Sequence, residues 1–223
     1  MFVKENIINI ISGLPGNVRL VAVSKTHPIE MILEAYRAGQ RCFGENKVQE
    51  LKEKSALLPQ DIEWHFIGHL QTNKVKTIIP FVSLIHAVDS LKLLQEINKE
   101  AAKINRVIPC LLQFYIASEE TKFGLSLDEA RQILDSDEFI EMKNVKMAGV
   151  MGMASYSDDE GLIRSEFRRL KQIFIQLKEQ YFLKDDSFKE ISMGMSGDYQ
   201  LAIKEGSTIV RIGSSIFGER NYL

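Results

Sequence analysis

The stretch VAVSKTHP, Val21 to Pro28, ends a run of small and β-branched apolar residues in Ser24 and Lys25. Lysine is seldom buried without a partner. The amine either reaches water where a strand ends, or it does chemistry. The chemistry open to it is nucleophilic attack on a carbonyl, giving a Schiff base. Far along the chain, MGMSGD (193–198) and RIGSSIFG (211–218) each place Gly and Ser between a strand-like run and a helix start. Backbone N–H groups in such a loop, with a helix N-terminus behind them, form an anion site. The same residues also serve as ordinary helix caps.

Whether these three places meet depends on the elements that carry them. Eight strand-like runs occur: 19–24, 41–45, 63–69, 83–88, 108–116, 145–153, 188–194 and 207–214. Several are short and apolar on both sides, as strands covered on both faces are. Helical runs lie between them. Pro28 and Gly39 frame PIEMILEAYRAG, and Ser126/Glu129 and Ser157/Glu160 have the spacing of capping boxes. Phe167, Leu170, Phe174 and Leu177 mark one face of a long helix. The N-terminal stretch places Val3, Ile7, Ile10, Ile11 and Leu14 on one helical face, an extra helix packed on the domain. Alternating strands and helices predict an α/β chain, a single (β/α)8 barrel of TIM type, with an open doubly wound sheet as the alternative. No Pro/Gly/Ser-rich linker breaks residues 1–223 into two domains; LKDDSFKE reads as a surface loop.

In a closed barrel the first strand lies beside the eighth, and functional residues gather at the C-terminal strand ends. Lys25 and the loops after strands 7 and 8 are then neighbours. An amine beside a phosphate cup points to a phosphorylated aldehyde held as a Schiff base, with pyridoxal 5′-phosphate the leading candidate. Arg211, facing inward from strand 8, then either contacts the cofactor ring or makes an ion pair in the barrel mouth.

Other signals are weaker. His65 and His69 are four apart, but HFIGH reads as a strand and lacks the Glu of HExxH, so no metal site is expected. His27 and His86 are isolated and read as structural. Asp89 and Glu45 are the carboxylates near strand ends, and Met147, Met151, Met153, Met193 and Met195 read as core or pocket wall. No GxGxxG, GxxxxGK[ST] or GxSxG pattern is present. A net charge of −2 gives no footprint for nucleic acid or an anionic membrane. No apolar run approaches the roughly 18–20 residues of a membrane span. Cys42 and Cys110 are far apart in predicted strands and read as buried thiols in a reducing cytoplasm.

The motifs together resemble the YggS/PROSC family of pyridoxal phosphate homeostasis proteins, over essentially the whole chain. AVSKTHP is similar to that family's cofactor-lysine segment, FGENKVQE to its FGENY-x-QE, and WHFIGHLQTNK to its WHFIG-x-LQ-x-NK. SMGMSGDYQLAIKEGSTIVRIGSSIFGER is its C-terminal signature almost unbroken. The resemblance implies a barrel like the N-terminal domain of alanine racemase, with pyridoxal phosphate on Lys25. It implies that Ser196, Gly213, Ser214 and Ser215 cup the phosphate and that Arg211 faces the pyridine nitrogen. Asn46 and His69 match positions near the cofactor. Lys47 stands where many members have Tyr, and Tyr115 where the family usually has Asn; Lys122 and Gly124 still match.

Three functions compete: a carrier that holds pyridoxal phosphate without catalytic turnover, a racemase-like enzyme, and an aldolase-type barrel using Lys25 on its own substrate. Racemases of this fold add a second β domain, and nine residues after Ser214 leave no chain for one. A racemase also needs a proton-moving group on each face of its substrate, and Lys25 has no evident counterpart. The aldolase reading needs a carboxylate beside the lysine, for which Asp89 and Glu45 are unremarkable candidates. The carrier reading needs only the amine, the cup and an open mouth. It is the expectation, with apo pyridoxal phosphate enzymes as acceptors, the protein a monomer or weak homodimer, and Lys47, Lys74 and Lys122 as candidate second amines near the mouth.

Overall fold

The computed structural model describes residues 2–117 and 124–219. Its strands are β1 (Arg19–Val23), β2 (Cys42–Glu45), β3 (Glu63–Phe66), β4 (Val82–Val88), β5 (Ile108–Phe114), β6 (Val145–Gly152), β7 (Glu190–Ser192) and β8 (Ile209–Ile212). They close into a parallel barrel in chain order, with β8 paired back onto β1. The helices are α1 (Phe2–Ser12), α2 (Ile29–Arg37), α3 (Val48–Leu57), α4 (Val75–Ile78), α5 (Leu91–Ala102), α6 (Leu127–Leu134), α7 (Asp137–Ile140), α8 (Glu160–Tyr181), α9 (Tyr199–Lys204) and α10 (Ser214–Phe217). Parallel strands need crossover connections, and helices on the outside of the barrel supply them.

Alternation along each strand divides the core in two. One set of side chains packs outward under the helices, including Ala22, Phe43, Phe66, Ile85, Leu112 and Val150. The other fills the barrel: Val21, Cys42, Leu84, Leu111, Met151 and Ile209, each from a different strand. Register extends this inner set. Arg211 lies opposite Val21, His65 opposite Leu84, and Ser192 opposite both Met151 and Ile209. The inner layer is therefore partly polar.

Helix boundaries follow local chemistry. Pro28 is the N-cap residue of α2 rather than its first helical residue, and Gly39, at φ +101°, leaves that helix in the left-handed region. Ser126 and Glu129 form the expected capping box of α6. The second expected box is not formed: Asp159 caps α8, accepting from the N–H groups of Gly161 and Leu162. An Asp nearer the first turn outcompetes Ser157, which instead accepts from the Asp159 N–H. In α1, Val3 and Ile7 are buried but Ile11 is exposed, so the apolar face is narrower than its sequence pattern. In LKDDSFKE, Phe188 is wholly buried and stacks between Phe174 and Phe182, anchoring what is otherwise a loop. Among the described residues no helix is long and apolar enough to cross a membrane.

Candidate functional site

The pairing of β1 with β8 brings the two ends of the sequence to one side of the barrel mouth. Val21 faces inward, so Val23 follows on the same side, and Lys25 comes two residues past the strand end, in a turn. Lys25 is half-buried at the rim. Around it the backbone is pinned from outside the barrel. Glu45, at the end of β2, is completely buried and accepts from the Ser24 hydroxyl at 2.6 Å and from Lys54 Nζ at 2.8 Å. Lys54, on α3, also donates to the Ser24 carbonyl at 2.8 Å and to Glu50 at 2.6 Å. Glu50 in turn accepts from the Thr26 N–H. Thr26 has φ +67°, a left-handed conformation costly for a β-branched residue. The residues on both sides of Lys25 are thus held by one buried charge cluster. Burial raises the Glu45 carboxyl pKa, and the Lys54 ammonium opposes the rise.

In the sequence Glu45 is an unremarkable carboxylate and Lys54 carries no signal of its own. Glu45 points to the helix layer, because Gly44 takes the inward position opposite His65. It therefore braces the lysine segment and is no carboxylate of the mouth. Lys54 sits on a helix face that reads as solvated, and only the fold reveals its burial. Glu166 plays the same part after β6, accepting from the N–H and hydroxyl of Ser155 at 2.7 and 2.8 Å.

The two Gly/Ser loops meet as expected. Ser196 Oγ accepts from the Gly213 N–H at 3.2 Å, linking the loop after β7 to the loop after β8. Gly194, at φ +94°, starts the first loop, and a Cβ there would lie 2.6 Å from Ala202 Cβ. Asp198 closes it by accepting from the Met195 N–H, and burial raises the Asp198 carboxyl pKa. Ser214 and Ser215 differ from expectation: they form the first turn of α10 rather than preceding it. This leaves their N–H groups without intrahelical acceptors, and both residues are exposed.

Arg211 is buried inside the barrel, donating to Ser192 Oγ at 2.6 Å and to the Gly152 carbonyl at 3.1 Å. Among the described residues it makes no ion pair, so the ion-pair alternative is not what the fold builds. Burial pulls its pKa down to about 10, which leaves it charged near neutral pH. Asn46 lies at the end of β2, so close to Gly68 that a Cβ there would sit 2.4 Å from the Asn46 carbonyl oxygen. Its side-chain Oδ1 is buried with no hydrogen-bond partner among the described residues. His69 is exposed, with Nδ1 3.2 Å from Asp89 Oδ2. A pocket of about 390 Å³ beside the mouth brings Asn46 and His69 together with Lys47, Lys52, Gln71 and Lys74. Tyr115 is half-buried at the end of β5, and Lys122 lies outside the described residues. His65 and His69 do not converge, one being inside the barrel and the other outside it. His86 is not isolated, being hydrogen-bonded on both ring nitrogens. His27 stacks on Phe217.

The chemistry of this donor set fits pyridoxal phosphate: a rim amine, an inner cation, joined loops with the first-turn N–H groups of α10 behind them, and an Asn46 oxygen that has no hydrogen-bond partner among the described residues. Residues 3–221 match the family described as alanine racemase, N-terminal domain. A pyridoxal phosphate homeostasis protein of Aquifex aeolicus (strain VF5) is 42% identical over 205 residues, covering 92% of this chain and 88% of the relative. The chain belongs to the pyridoxal phosphate homeostasis family. The structure of PipY from Synechococcus elongatus PCC7942, with PLP bound, is similar at 34% identity and TM-score 0.88, over 97% of this chain and 100% of that one. Alanine racemase from E. faecalis shares the fold at 16% identity and TM-score 0.78, over 97% of this chain and 57% of its own. The homeostasis family thus has the racemase barrel, and in this member the described mouth carries the donors set out above.

Proposed function

We propose that this protein binds pyridoxal 5′-phosphate at the barrel mouth, holds it on Lys25 as a Schiff base, and releases it without turning over amino acids. The observation that carries the reading is the placement of Lys25 two residues past the end of β1, the strand that pairs with β8 and whose last residue, Val23, lies against Gly213 of the Ser196–Gly213 linkage. The cofactor's aldehyde condenses with a neutral amine, losing water, and water or another amine reverses the bond. Ser196 and the N–H groups of Ser214 and Ser215 bind the phosphate, with Gly213 bringing the backbone close. Arg211 faces the ring nitrogen. A guanidinium only donates hydrogen bonds, so it favours an unprotonated ring nitrogen and weakens the electron sink that racemisation needs. Asn46 and His69 line the β2–β3 side.

A carrier must also let go. The rim position of Lys25, and a neighbouring pocket holding Lys47 and Lys74, support transfer through an open mouth to the apo forms of pyridoxal phosphate enzymes. In this reading residues 1–223 act as one domain, monomeric or weakly dimeric, in a reducing cytoplasm that suits two buried, unpaired thiols. The test mixes loaded protein with an apo pyridoxal phosphate enzyme and follows recovery of that enzyme's activity. In parallel, loaded protein is incubated with L- and D-alanine and other amino acids. Transfer without turnover is expected. Sustained turnover on the order of 1 s⁻¹ or more would move the protein to the racemase-like class.

A further inference from the structure

A line of hydrogen bonds crosses the barrel interior behind Arg211. Arg211 Nη1 donates to Ser192 Oγ at 2.6 Å, Ser192 Oγ lies 2.9 Å from His86 Nδ1, and His86 Nε2 lies 2.9 Å from His65 Nδ1. The four residues come from β8, β7, β4 and β3, and all are buried. Beyond His65, the Cys42 thiol, the Glu63 carboxylate and a ring nitrogen of His65 lie within 4.8 Å of one another at the opposite end of the barrel.

The direction of the chain follows from its first member. A guanidinium has no acceptor, so the Ser192 oxygen accepts from Arg211 and its own proton is free to go to His86 Nδ1. His86 then carries its proton on Nε2 and donates to His65 Nδ1, which leaves the His65 proton on its outer nitrogen. Every dipole in this arrangement turns its negative end toward the arginine and its positive end toward Glu63. The reverse arrangement would make Ser192 accept twice and turn both imidazole dipoles against the cation. We propose that Ser192, His86 and His65 are positioning residues: a neutral, one-way chain that solvates the Arg211 charge and aims its guanidinium at the cofactor ring nitrogen.

The electrostatics agree. Burial first, and the Arg19 charge second, push His65 down to about 3. Burial, then His65, Arg211 and Arg19, hold His86 well below its ordinary value. Both rings are therefore neutral where the protein works. A carboxylate in place of Ser192 would neutralise Arg211 and cost the site its field. A neutral chain stabilises the cation and leaves its charge to act on the ring.

The aim at the ring rests on the pyridoxal phosphate reading; the tautomers do not, so the test has two arms. The first is ¹⁵N NMR of histidine-labelled, cofactor-free, full-length protein. His65 and His86 are expected neutral at pH 7, both protonated on Nε2. Either ring charged, or His86 protonated on Nδ1, would overturn the chain whatever the cofactor does. The second loads the protein with pyridoxal phosphate labelled at its ring nitrogen. Ser192→Ala is expected to weaken retention by roughly tenfold or more, as for loss of a bond to a charged group, and to move the ring ¹⁵N shift. Ser192→Thr, which keeps the hydroxyl, is expected to restore both. A wild-type ring shift in Ser192→Ala would overturn the positioning role. Should Ser192→Ala fail to fold, Ser192→Thr and His86→Asn, which keeps an acceptor for Ser192, supply the comparison, and loss of the wild-type ring shift in both would overturn the role equally. Failure of wild-type protein to bind the cofactor, with the tautomers as stated, would overturn the aim at the ring through the cofactor reading while leaving the chain in place.

Discussion

Ser196 shows most plainly what a single side chain contributes. It joins two loops through the Gly213 N–H, and its hydroxyl proton is left to donate toward an anion. A hydrogen bond to a charged group is worth about 1.5–3 kcal/mol. Ser196→Ala is therefore expected to weaken pyridoxal phosphate retention by roughly tenfold or more, read by equilibrium dialysis. Pyridoxal, which lacks the phosphate, is expected to bind much less tightly than pyridoxal phosphate. Equal affinities would remove the cup from the account. These residues were legible in the sequence because Gly and Ser, though common as helix caps, recur after two strands that a closed barrel makes neighbours. Ser192, His65 and His86 were not. They lie 21 and 106 residues apart in the chain, and only strand register brings them together.

At the level of elements, α3 holds β1 and β2 in place through Lys54. Removing one partner of a buried pair costs about 3–5 kcal/mol, because the other charge stays buried and unpaired. Lys54→Met is expected to destabilise the protein by about that much in urea unfolding. Glu45→Gln added to it is expected to recover part of the loss, since the orphaned charge is gone. A cost of the single change below about 1 kcal/mol would contradict the bracing role. The strands themselves were legible for a plain reason: buried on both faces, they read as apolar runs. Their ends were not. Ile67, Ile116, Met153 and Met193 continue the apolar pattern past Phe66, Phe114, Gly152 and Ser192, where the ladders stop. The capping of α8 was missed because Asp159 and Ser157 both suit an N-cap, and the choice rests on the path of the preceding loop.

The whole molecule carries two neutral imidazoles in its interior, and this sets an acid limit. In the unfolded chain a histidine takes up a proton near pH 6.5. In the folded protein His65 does so only near 3, and His86 is likewise depressed. The unfolded state therefore binds more protons between those values. Stability is expected to be flat above about pH 7 and to fall as pH drops below 6.5, by about 1 kcal/mol per histidine for each unit. Urea midpoints between pH 7.5 and 5.5, above most carboxylate titration, read this slope; His65→Gln should roughly halve it, leaving the His86 share, and an unchanged slope would argue against the buried neutral rings. The barrel as a whole serves to place one amine beside one anion cup. The most direct measurement is the near-visible absorbance of the purified protein incubated with pyridoxal phosphate, followed by borohydride reduction and peptide mapping. The account predicts a Schiff-base band in the wild type, the label on Lys25, and no band in a folded Lys25→Ala variant. A band that survives Lys25→Ala, or a label on Lys47, Lys74 or Lys122 instead, would contradict it.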